Sequence, residues 1–124
     1  MADIISTSYT PGEKTGTPTF YVGHGRDGEY RLTGIGLIPI QAIAEDGSNK
    51  FVIAITDGTN TVATSYDTST SGNAFVVGAG KQMTMSDNHA REFGATDSVK
   101  FVCTETGTAV LDVQVVCHWQ KVRA

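Results

Sequence analysis

From Phe20 to Trp119 the sequence repeats one device: short runs of alternating apolar and polar residues, each closed about ten residues on by Gly, Asp, Asn or Ser. A period of two sends successive side chains to opposite faces of a strand, so such a chain builds stacked antiparallel sheets. Phe20 to Val22 forms one short strand, and Glu29 to Thr33 leads into Ile35, Leu37 and Ile38. Pro39 cannot donate to a ladder, so the stretch Ile35 to Ala44 must be an edge, a bulge or two strands meeting at a bend. Phe51, Ile53 and Ile55 alternate between the turn signals Glu45 to Asn49 and Asp57 to Asn60, which predicts two hairpins. Thr61 to Tyr66 is a polar, β-branched strand, Asp67 to Gly72 is a loop, and Ala74 to Val77 and Gln82 to Met85 are weak strands. Only Ser86 to Phe93 offers a helix start, worth one turn before Gly94 stops it.

Near the C-terminus, Val99, Phe101 and Cys103 alternate with polar neighbours, as do Leu111, Val113, Val115, Cys117 and Trp119. Joined as a hairpin through the loop Glu105 to Gly107, with Gly107 left-handed, these strands would pair Phe101 with Leu111 and Val99 with Val113. In that register Cys103 and Cys117 lie on the order of 27 Å apart at strand rise. A disulfide needs Cα atoms within about 7 Å, so two free, core-facing thiols are expected, which suits a reducing compartment.

Composition agrees with strands. Of 124 residues only 18% are charged, while Thr fills 17 positions, Ser 8 and Gly 14, a balance that favours strands and turns over surface helices. The length fits one core: an extended arm over residues 1–19, marked by Pro11 and Pro18, and a sandwich domain over 20–124. No apolar run is long enough to span a bilayer, and no basic leader precedes the arm, so a soluble chain without an export signal or membrane partner is expected. The net charge is −4 and the nine Lys and Arg residues are scattered, which argues against nucleic acid as a partner.

Motifs that carry chemistry are weak. Gly23 to Gly28 has the G-x-G-x-x-G spacing of a dinucleotide loop, but Glu29 to Gly36 alternates and cannot supply the helix whose N-terminus would meet a pyrophosphate. His24, His89 and His118 fall in separate segments without metal-ligand spacing, and Cys117 and His118 point to opposite faces of one strand. The Asp-Gly turns at 46 and 57 lack the ligand spacing of a calcium loop. The expectation is therefore no enzyme, no cofactor and no metal. Thr61 to Ser65 and Gly34 to Leu37 carry few charges to blunt an exposed edge, so a protein that associates with other protein is expected.

The polar Pro/Gly arm (STSYTPGEKTGTPT), the run YRLTGIGLIPIQAIAEDGSNKFVIAITDG and the terminal strand pair SVKFVCTETGTAVLDVQVVCHW together resemble the small decoration, or cement, proteins of tailed-bacteriophage heads. The resemblance implies an all-β, antiparallel two-sheet sandwich, jelly-roll-like, with an extended N-terminal arm. It also implies a virion structural protein on the outer capsid surface, made in the host cytoplasm, that assembles as a homo-oligomer, with a trimer favoured. Its partner would be the major capsid protein. The expected capsid contacts are Ile5, Tyr9, Pro11 and Pro18 in the arm, and the expected oligomer or loop contacts are Tyr21, Arg26, Tyr30 and Tyr66. A rival class is a carbohydrate- or receptor-binding sandwich that uses the loops Gly23 to Gly28 and Asp67 to Gly72.

Overall fold

The computed structural model describes residues 4–86 and 92–123. Among these residues nine strands make two antiparallel sheets: Ile4–Tyr9 (β1), Thr19–Val22 (β2), Glu29–Pro39 (β3), Lys50–Thr56 (β4), Thr61–Asp67 (β5), Lys81–Gln82 (β6), Glu92–Phe93 (β7), Val99–Thr106 (β8) and Val113–Arg123 (β9). One sheet runs β1-β9-β3-β6, with β7 also on β3, and the other runs β2-β8-β4-β5. The all-β sandwich is as expected. If β6 and β7 are taken as two pieces of one strand position on β3, this is the interleaved strand order of a jelly roll.

Alternation places the core. Phe51, Ile53 and Ile55 of β4, Val99, Phe101 and Cys103 of β8, and Val113, Val115, Cys117 and Trp119 of β9 are all buried between the sheets. In β3 the buried positions switch parity, from Tyr30 and Leu32 to Ile35 and Leu37, because the pairing with β9 shifts between Leu32 and Gly34. This bulge absorbs one residue, so both halves of a long strand face inward. Pro39 is the last residue of β3, where the loss of a donor matters least.

Several expectations are corrected. The terminal strands do not form a hairpin: β8 pairs with β2 and β4, setting Phe101 against Phe20 and Ile55, whereas β9 pairs with β1 and β3. Strands on facing walls of a sandwich bury the same alternating set as strands in one hairpin, so alternation alone does not separate the two. The turn at 45–49 likewise carries the chain from β3 across to β4 in the other sheet, while 57–60 closes a true hairpin between β4 and β5. Gly34 to Leu37 is no edge, because it lies inside β3 between β9 and β6. Residues 87–91 of the expected helical turn lie outside the described residues, and Glu92 and Phe93 are strand.

Residues 4–19, the described part of the expected arm, do not stand off from the sandwich. Ile4 to Tyr9 pairs with Val115 to Gln120 in unbroken register, and Trp119 Nε1 donates to Thr7 Oγ1 at 2.9 Å. Further on, Lys14 and Leu111 exchange backbone hydrogen bonds of 2.8 and 2.9 Å, and Cys103 N donates to the Pro18 carbonyl at 3.0 Å. The proline-rich segment is extended, as Pro11 and Pro18 require, but it is laid along its own sandwich.

Candidate adhesion surface

Three side chains that could react, His24, Cys103 and Cys117, lie in the interior. His24 is buried with its ring against Tyr30 and edge-on to Trp119. Arg26 N donates to its Nδ1 at 3.1 Å, so the neutral ring carries its proton on Nε2, which donates to the Phe93 carbonyl at 3.0 Å. The loop Gly23 to Gly28 thus wraps a structural histidine between β2 and β3, with no helix after it. Cys103 and Cys117 are free and fully buried, and burial pushes both thiols up to about 12 from 9.0, far from a nucleophilic thiolate. Among the described residues no three His, Cys, Asp or Glu side chains gather as a metal site. His89 lies outside the described residues.

The loops at the ends of the sandwich are held by their own bonds. Asp46 accepts from Ser48 N at 2.8 Å and from the Asn49 amide at 3.2 Å, and these bonds hold its carboxyl below the usual carboxylate range. Asn49 Oδ1 in turn accepts from Thr108 N and Thr108 Oγ1 at 2.9 and 3.0 Å. A depression of about 260 Å³ between these loops therefore has its Asp46 and Asn49 side chains already bonded within the chain. In the loop 67–72, Asp67 accepts from the Ser69 hydroxyl and amide at 2.7 and 2.9 Å and from Lys50 at 3.0 Å, and its carboxyl is lowered first by the Ser69 hydroxyl.

The expected contact residues divide by burial. Ile5 is half-buried against the core, Tyr9 lies 5.5 Å from Phe20 between ring centres, and Pro11 and Pro18 are half-buried. Tyr21 and Arg26 are exposed. Tyr30 and Tyr66 are corrected: Tyr30 is buried against His24, and Tyr66 is buried with its hydroxyl donating to the Asn73 carbonyl at 2.9 Å, so neither presents its ring at the surface of the chain. Both lie on strands at inward positions, where aromatic area fills the sandwich.

An apolar patch elsewhere escaped the sequence reading. Ile40, Val76 and Val77 are 45%, 57% and 61% exposed, and Ile38 of β3, two residues before Ile40, is exposed as well. Their segments are neighbours: Gly78 N donates to the Pro39 carbonyl at 3.0 Å, and Ile43 and Phe75 exchange backbone bonds. Phe75 takes the single inward position of this run, which leaves Val76 and Val77 outside. Three consecutive apolar residues before Gly78 were the available signal, since a strand with one buried face cannot hide all three.

No protein-family model matches the chain, and no curated protein matches it.

Proposed function

We propose that the protein is a virion structural component that adheres to the outer surface of a phage head and stabilises the shell by bridging major capsid subunits. The observation that carries this reading is the exposed set of Ile38, Ile40, Val76 and Val77, apolar side chains on neighbouring segments of the chain. The jelly-roll-like order and the resemblance of the sequence to decoration proteins support it. A small module can hold a strained shell because each further contact acts at high effective concentration once the first has formed. Ile5 packs against its own core, whereas Tyr9 is 44% exposed, so the proposed capsid contact joins this patch to Tyr9 of the N-terminal segment.

Truncation of residues 1–19 is a poor test, because it strips β1 from β9. The experiment uses expanded heads that lack the protein, full-length chain, and the double variant Ile40→Asp/Val77→Asp. The wild type sediments with heads and raises their heat resistance. The variant keeps its unfolding midpoint and binds about a hundredfold more weakly, as expected for two aliphatic side chains lost from a buried contact. Undiminished binding by the folded variant would remove the patch from the proposal. A wild-type chain that ignores heads but is retained on a glycan array would favour the rival binding module.

A further inference from the structure

We infer that the free edge of β1 is a self-association site that pairs with β1 of a second copy, joining two sandwiches into a two-fold dimer through one continuous sheet. This goes beyond the adhesion reading and does not depend on it.

The edges of the two sheets differ in how they are guarded. β5 is covered by residues 84–86: Ser86 N donates to the Val62 carbonyl at 3.0 Å, Thr64 N to the Thr84 carbonyl at 2.8 Å, and Ala63 bridges Met85. β2 has four residues and starts behind Pro18, which has no donor. β6 and β7 have two residues each. Among the described residues β1 alone offers six residues in unbroken register, paired on one side only, and its sequence IISTSY contains no charge and no proline. A flat, uncharged edge is the form that natural sheets avoid leaving open, and its alternating donors and acceptors fit another extended backbone.

Three observations select a second copy as that backbone. Pairing about a two-fold axis keeps both outer faces on one side, so opposed residues must have an even sum of numbers. Centred on Ser6, this sets Ile4 against Ser8, Ile5 against Thr7 and Ser6 against Ser6, a set of β-branched and hydroxyl pairs with no like charges. On the outer face beside the junction Ile4 pairs with Gln120, Ser6 with His118 and Ser8 with Val116, none of them a carboxylate, and His118 Nδ1 lies 2.8 Å from Ser6 Oγ. Two chains of net charge −4 can therefore meet there without opposed carboxylates. With one long open edge per chain among the described residues, the association closes at two copies. The two four-strand paths then merge as β6-β3-β9-β1 continued by its symmetry mate.

The test is light scattering of the full chain over a concentration series, with hydrogen exchange read at residues 4–9. Wild type is expected as two copies, with amides of β1 protected at high concentration and released on dilution. Ser6→Lys/Ser8→Lys places lysines across the axis and raises the dissociation constant about tenfold or more, as does Ser6→Glu/Ser8→Glu. Mixing the two variants restores a mixed dimer, which misfolded chains would not do. A wild-type monomer or trimer, a lysine variant that stays dimeric, or a mixture that fails to recover would each overturn the inference. So would a monomer whose β1 amides become protected only on heads, since that would assign the edge to a capsid strand.

Discussion

Replacing Gly107 by Ala tests how the two loops at one end of the sandwich are locked together. Gly107 follows β8 with φ of 75°, in the left-handed region that a side chain disfavours. A Cβ built there would run into the Ser48 carbonyl oxygen and into Asn49 Oδ1, the atom that holds Thr108 N and Thr108 Oγ1. The left-handed conformation costs alanine about 1 kcal/mol or slightly more. Loss of the two hydrogen bonds on Asn49 adds about 1 kcal/mol each, and displacement of the Ser48 backbone brings the sum to about 3 to 4 kcal/mol. For a chain of this size that lowers the melting temperature by about 15 °C. Urea unfolding followed by the fluorescence of Trp119, the only tryptophan, measures it directly. Two controls isolate the contact. Gly58 has φ of 99° with open space around its Cβ, so Gly58→Ala carries the backbone cost alone, about 1 kcal/mol. Gly47 has neither constraint, and Gly47→Ala is neutral or slightly stabilising. If Gly107→Ala matches Gly58→Ala, the latch between the loops is refuted.

The buried cysteines set an alkaline limit. Their thiols are raised from 9.0 to about 12, so the protonated form is favoured in the folded state; this stability is complete below pH 9 and is lost as pH rises toward 12. The wild type loses about 1.4 kcal/mol per pH unit per thiol in that window, and Cys103→Ala/Cys117→Ala flattens this part of the urea midpoint profile at the cost of a lower plateau. Identical slopes for both proteins above pH 9 would contradict the assignment. His24→Phe keeps most of the ring volume but removes the acceptor of Arg26 N and the donor to the Phe93 carbonyl, so it destabilises by about 2 kcal/mol by calorimetry, and a change below about 0.5 kcal/mol would count against a structural role.

Much of the interior was legible in advance. The alternation at Phe51, Ile53 and Ile55 and at Val113 to Trp119 marks positions that are buried, and the turns at 46–49 and 57–60 are closed by their own aspartates. The candidate surface was far less legible. Tyr30 and Tyr66 read as contact residues because aromatic type does not reveal which face a position takes, and β3 changes parity at its bulge. Val76 and Val77 read as part of a weak strand and Ile40 as part of an edge, bulge or bend after Pro39, and the backbone bonds of Pro39 with Gly78 and of Ile43 with Phe75 bring their segments together.

The polypeptide's own order of residues determined which side chains enter the core, where the chain turns, and that the class is all-β, because side-chain period and turn chemistry act within a few residues. The folded structure decided which sheet each strand joins: β8 and β9 face each other across the core, β3 is central, and residues 4–9 become an edge strand. That choice rests on backbone hydrogen bonds between segments as far apart as Ile4 and Gln120. Such bonds are made by groups common to almost every residue, so neither alternation nor turn signals specify their partners.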